Sequence, residues 1–138
     1  MNTPENRARS FVSFGGIGSA TSLARFYVML ASGGKMGGRQ FFRPETLRRM
    51  TNRLTDGADR VFGIPTAFSA GFVKQATDAP RQLFGGSPAA FGHPGAGGSH
   101  AFADPENQIG FAYVMNQMEQ AVLPNEKSLR LVNAIYDK

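Results

Sequence analysis

The chain contains no cysteine, so no disulfide can staple it and no thiolate is available to a metal. Its two histidines, His93 and His100, are too few imidazoles for an ordinary metal centre, and neither a metal nor an organic cofactor is expected. No long apolar run is present that could span a bilayer. The opening MNTPENRARS is polar and lacks the apolar core of a secretory signal, so the sequence leaves the compartment open, with the cytoplasm as the default. Charged residues make up only 18% of the chain against 41% hydrophobic, the balance of a globular protein. No internal repeat is visible.

Positive charge is in excess, at 15 Lys and Arg against 10 Asp and Glu, for a net +5. A basic balance invites a nucleic-acid reading, so the distribution matters. Arg7, Arg9, Arg25, Lys35, Arg39, Arg43, Arg48, Arg49, Arg53 and Arg60 are scattered among apolar residues of the first half, and no DNA or RNA motif accompanies them. That spread is a solvated surface, and no nucleic-acid partner is expected.

The densest information lies in FGHPGAGGSHAFADPENQIGFAYVMNQM, residues 91–118. Phe91-Gly92-His93 reads as a short strand ending at Pro94. Gly95, Gly97 and Gly98 then strip the backbone of side chains, so that another molecule could approach its N–H groups closely. Gly98 to Ala103 continues extended, Asp104-Pro105-Glu106-Asn107 has the Asp-then-Pro order of a type I turn, and Ile109 to Asn116 returns as a second strand. Large residues alternate with Gly110, Ala112 and Val114 in that strand, so both faces are apolar and a central position in the sheet is expected. Asn125 can cap a final helix whose Leu129, Val132, Ile135 and Tyr136 recur on one side.

Upstream, residues 1–13 form a polar lead with no clear element, and Phe14 to Ser19 is a glycine turn. A helix follows with Leu23, Phe26, Tyr27 and Leu30 at i, i+3, i+4 and i+7, capped by Ser19 or Thr21 and ended by Gly33-Gly34. Gly15 to Gly18 before it lacks the Gly-Lys-Ser/Thr of a phosphate loop. Pro44 to Met50 predicts a short helix with Leu47 and Met50 on one side. Residues 52–66 read as a loop, Ala67 to Val73 as a strand carrying Phe68 and Phe72 to the core, and Gln75 to Pro88 as a surface run. The fold class is α+β: an antiparallel sheet of at least three strands packed by the C-terminal helix, with the two earlier helices lying apart.

His93-Pro94-Gly95, the glycine cluster, the Phe-Ala-Asp-Pro-Glu turn, the Gly-Phe-Ala-Tyr-Val-x-Asn strand and Leu-Pro-Asn together resemble the closing segment of the serine β-lactamase and penicillin-binding-protein superfamily. The likeness is strongest to its esterase-like branch, which has His-x-Gly where classical members have Lys-Thr/Ser-Gly. GGIGSATSLARFYVMLASGGKMGGRQFFRPETLRRM also resembles the segment that precedes this motif, so nearly all of the chain is covered. The resemblance implies that His93 lines the pocket and orients the substrate, that Gly95 sets the backbone shape, and that the Ala96 backbone N–H serves an oxyanion hole. Asn116 matches a position near substrate in some relatives, although a turn-capping asparagine explains it equally well. On sequence alone His93 reads as a structural or surface histidine; His100 reads as structural and Tyr113 as core.

The resemblance also defines what is missing. Such proteins acylate a serine in Ser-x-x-Lys at the start of a buried helix, with Tyr-x-Asn or Tyr-x-Ser completing proton transfer. The only Ser-x-x-Lys string here is Ser32-Gly33-Gly34-Lys35, at a helix end where a serine faces carbonyls, and no tyrosine has the required followers. Residues 1–138 are therefore expected to be a single partial domain, the C-terminal segment of such a fold, inactive alone and prone to self-association or to pairing with an N-terminal half. The implied activity is that of a serine hydrolase on a small-molecule ester or amide. A noncatalytic remnant or a protein-binding module stands as the competing class.

Overall fold

A computed structural model describes residues 3–9, 11 and 14–137. The polar lead is corrected first, because Pro4–Ala8 form a short helix, α1, with Thr3 as its cap and Pro4 at the first turn. The remainder of that lead, at positions 1, 2, 10, 12 and 13, lies outside the described residues.

Helix α2 spans Ala20–Ala31, and the Ser19 hydroxyl accepts the Ser22 N–H at 3.1 Å as its cap. At the other end Gly33 and Gly34 take φ of 69° and 81° and donate to Leu30 and Met29, a paired closure that a residue with a Cβ would resist. A small hairpin of β1 (Lys35–Met36) and β2 (Arg39–Gln40) follows, and helix α3 spans Pro44–Thr51 with Leu47 and Met50 packed inward.

The main sheet has six antiparallel strands in sequential order: β3 (Thr55–Ala58), β4 (Pro65–Phe68), β5 (Val73–Lys74), β6 (Phe91–Pro94), β7 (His100–Asp104) and β8 (Ile109–Tyr113). Helix α4, Glu126–Tyr136, closes the chain, capped by Asn125 through the Ser128 N–H at 2.9 Å. The α+β class holds.

Four expectations change in detail. Residues 52–66 are not a loop: Asp59 accepts from Val61 and Phe62 backbone N–H groups and from the Thr66 hydroxyl, folding 59–64 into a turn that joins β3 to β4. Residues 67–73 are not one strand, because Ser69 donates to Phe72 across a reversal containing Gly71 at φ 106°. Phe72 and Phe68 both reach apolar clusters, but different ones.

The β8 strand is shorter than expected and lies at the sheet edge rather than in its centre. Both of its faces are apolar because helices cover them, and coverage by helices and by neighbouring strands leaves the same apolar signature. Helix α2 does not lie apart either. Tyr27, Leu30 and Ala31 join Phe72, Phe91, Ala101 and Ala103 in one core cluster, while Val132 of α4 joins Phe84, Ala90 and Phe102 in the other. The sheet is thus sandwiched between α2 on one face and α4 on the other.

Candidate functional site

Strand β6 delivers His93, and the chain leaves the sheet after Pro94. The His93 ring is exposed, with Nδ1 2.6 Å from the Pro94 carbonyl. A carbonyl only accepts, so Nδ1 carries the proton, and Nε2 has no hydrogen-bond partner among the described residues. Gly95 donates to Ser99 at 2.7 Å, Gly98 donates to Gly95 at 3.0 Å, and Gly97 donates to Ala121 at 2.7 Å. Between these engaged amides Ala96 is exposed, and its N–H meets no acceptor among the described residues.

The glycine cluster is filled from within the chain. A Cβ on Gly97, at φ 91°, would strike Met118, and one on Gly98, at φ 112°, would lie 2.5 Å from the Asn125 amide nitrogen. Glu119 N–H closes onto Gly97 O at 3.0 Å. The close approach that these glycines permit is therefore made by residues 118–125, which tie the loop to the start of α4. In the sequence Leu123-Pro124-Asn125 carries part of the resemblance as the start of the last helix; its packing against the glycine loop is visible only in the fold.

The other sequence candidates are dispersed. Asn116 is exposed beyond the end of β8, and no hydrogen bond among the described residues links it to His93 or Gly95. Ser32 caps the carbonyl end of α2 and donates its N–H to Val28, while Lys35 begins β1; both are exposed. Tyr113 is half-buried at the end of β8, opposite His100.

Two buried polar groups stand behind the motif. His100 is fully buried, pairs in register with Pro94, and lies 5.5 to 5.8 Å from the rings of Phe84, Phe102 and Phe111. Among the described residues neither ring nitrogen has a hydrogen-bond partner, and burial pushes its pKa down to about 4. Asp104 is equally buried, but accepts from the Tyr136 hydroxyl at 2.6 Å, from the Asn107 amide at 2.8 Å and from two backbone N–H groups. Burial alone would raise that carboxyl; its hydrogen bonds, Tyr136 and Asn107 foremost, outweigh this and hold it below the usual range. Among the described residues no cluster of His, Cys, Asp and Glu could hold a metal ion, and no helix is long and apolar enough to cross a membrane.

The chain is 34% identical over 104 residues to Esterase/beta-lactamase LipL of Mycobacterium tuberculosis (strain ATCC 25618 / H37Rv), covering 75% of this chain and 23% of that protein. Among solved structures it superposes on a penicillin-binding protein homolog from Caulobacter crescentus with a TM-score of 0.78 and 37% identity, over 86% of this chain and 31% of that one. A family VIII carboxylesterase gives a TM-score of 0.74 and 35% identity, over 83% and 30%. The chain thus spans only 23% to 31% of the length of these relatives. A family model described as Beta-lactamase matches residues 2–134. The motif strand, the glycine loop and the capped last helix accordingly sit in a chain that belongs to the beta-lactamase family.

Proposed function

We propose that this chain is the C-terminal part of a serine hydrolase acting on esters or amides, and that it supplies the His93 wall of the pocket and the Ala96 N–H of an oxyanion hole. The observation that carries this reading is the Ala96 N–H, on an exposed residue and without an acceptor among the described residues, while the amides of Gly95, Gly97 and Gly98 are engaged. A donor already held in place by its neighbours costs no reorganisation when negative charge develops on a carbonyl oxygen. His93, exposed beside it with Nε2 unpartnered, orients the substrate. Gly95 keeps the loop shape, since a Cβ there would collide with the Ser99 hydroxyl. Asn116 is a weaker participant, at the open end of β8.

The nucleophile lies in another segment. Covalent catalysis needs a serine activated by a neighbouring base, and Ser32 sits among carbonyls with its N–H spent on Val28. The β8 edge offers unpaired backbone groups for a further strand, and Val28 and Val114 near that edge are 40% and 43% exposed. Both features support pairing with an N-terminal half, or self-association in its absence.

The test incubates the purified chain, and the chain mixed with the N-terminal segment of an esterase relative, with a chromogenic short-chain ester and a fluorophosphonate probe. Labelling and turnover are expected only in the mixture. There, His93→Ala lowers kcat/KM with little change in stability, and Ala96→Pro, which removes the amide hydrogen, lowers kcat by about 10²- to 10³-fold. Stoichiometric labelling of the chain alone, abolished by Ser32→Ala, would overturn the reading. Absence of turnover in a folded, stable mixture favours the noncatalytic alternative.

A further inference from the structure

The excess positive charge of the chain is concentrated in one short stretch. Residues 35–49 hold five Lys and Arg against one Glu, a net +4 of the whole chain's +5. The fold gathers these cations on the β1–β2 hairpin and on helix α3, which follows it. Glu45 pairs with Arg48 at 3.7 Å, an exposed contact that holds neither side chain firmly. Lys35, Arg39, Arg43 and Arg49 are exposed, and among the described residues no carboxylate lies within ion-pair distance of them.

The hairpin stands outside the main sheet and is held in one shape. Its two-residue turn is Gly37-Gly38, at φ 56° and 76°, the positive values that a tight antiparallel reversal requires. At its base the Gln40 amide donates to the Gly33 carbonyl at 2.9 Å, and the Phe41 N–H donates to Gly34 at 2.8 Å. Met36 and Arg39 are register partners and so share a face. The Phe41 ring joins them, with the Arg39 guanidinium 5.1 Å from its centroid. Met36 and Phe41 are 36% and 52% exposed, so thioether and ring are displayed among free cations.

We infer that this hairpin and α3 dock the protein on an anionic lipid surface, with headgroup phosphates at Lys35, Arg39 and Arg43 and with Met36 and Phe41 at the acyl boundary. Basic side chains beside exposed apolar ones are what an acidic bilayer surface attracts, through charge and buried apolar area together. A nucleic acid would satisfy the cations, but Arg39 already covers one face of Phe41 and Met36 has no ring on which a base could stack. The assignment is independent of the hydrolase reading.

The experiment is flotation of the chain with vesicles of phosphatidylcholine alone and with about one third phosphatidylglycerol, which separates bound protein from any that self-associates. Binding is expected to the anionic vesicles only, falling about tenfold or more between about 50 mM and about 500 mM salt. Arg39→Glu with Arg43→Glu should lower the affinity about tenfold or more, and Arg39→Lys with Arg43→Lys should largely keep it. Arg60→Glu with Arg130→Glu makes the same change in net charge away from the hairpin and should leave binding near the wild-type value. The chain has no tryptophan, so Phe41→Trp supplies a single one, whose emission should shift to the blue on anionic vesicles. Equal losses from the two charge-reversed pairs, or equal binding to both kinds of vesicle, would overturn the inference. So would unshifted Phe41→Trp emission from bound protein, or tighter binding of the wild type to a DNA duplex than to anionic vesicles at the same salt.

Discussion

Strands β7 and β8 present two unlike faces to their helices. Toward α2 they turn Ala101, Ala103, Gly110 and Ala112; toward α4 they turn His100, Phe102, Asp104, Ile109 and Phe111. The small face lets α2 approach until backbone meets backbone, and a Cβ on Gly110 would run into the Val28 amide. The large face holds its helix off with rings, and it has room for a buried histidine and carboxylate. One strand pair thus builds a close contact on one side and a deep, partly polar core on the other, and the two should fail in different ways.

Removing a fully buried central ring tests the deep face most severely. Phe102 is fully buried between Phe84 and Phe111, with ring centroids at 5.8 and 5.2 Å. Phe102→Ala should cost about 4 kcal/mol in urea unfolding, from lost transfer energy together with the cavity left behind.

Acid should act on the same face through His100. Its folded pKa near 4 lies below the ordinary 6.5, so the unfolded chain binds the proton first. Stability from neutral His100 is complete above about pH 6.5 and falls as pH drops toward 4, by about 3 kcal/mol, with no further loss from this group below. His100→Phe keeps the volume apolar and removes two orphaned nitrogens, so it should be neutral or stabilising at pH 7 and should flatten the slope between pH 6.5 and 4. An unchanged slope in this variant would place the acid sensitivity elsewhere.

The legibility of the two faces differed. The alternation of large and small residues in 109–115 was plain in the sequence, as were the Asn125 cap, a cap for α2 at Ser19 or Thr21 that the structure places at Ser19, and the Gly33-Gly34 stop, because each is local chemistry. That Gly110 and Ala112 meet α2 was not legible, since no periodicity says which helix a face receives. The β3–β4 hairpin escaped because its strands are only four residues long, β3 is polar and exposed, and its turn depends on Asp59 reaching residues 61, 62 and 66. At the candidate site, His93, Gly95 and Ala96 are contiguous and so could be read together. The occupants of the glycine cluster, Met118 and Asn125, come from about twenty residues or more downstream and became visible only when the chain folded back.

The close face should break by overpacking instead of by loss. Gly110→Ala would ordinarily help a strand by lowering the entropy of the unfolded chain. Here the added methyl meets the Val28 backbone, which cannot rotate away as a side chain would, so α2 must shift. A loss of about 2 kcal/mol is expected. Val28→Ala should not rescue it, because the obstruction is main chain; rescue would show that α2 is held by side chains after all.

The smallest expected effect lies where the large face is best satisfied. The Tyr136 hydroxyl donates to Asp104, and that carboxylate also receives the Asn107 side chain and two backbone N–H groups. Tyr136→Phe therefore removes one donor of several and leaves the ring packed against Gly85. A cost of about 1.5 kcal/mol is expected at pH 7, as for a hydrogen bond to a charged group. The sign of the pH effect follows from the carboxyl being held below its ordinary range in the folded chain. Its stabilisation is present above the unfolded pKa and is lost as pH falls through the folded value, and losing the Tyr136 donor moves that folded value upward. The difference between wild type and Tyr136→Phe should consequently shrink in acid, once Asp104 is protonated in both. A penalty that stays constant even at a pH low enough to protonate Asp104 in the folded chain would mean that Tyr136 acts through packing alone, and the carboxylate would then be held by its own turn.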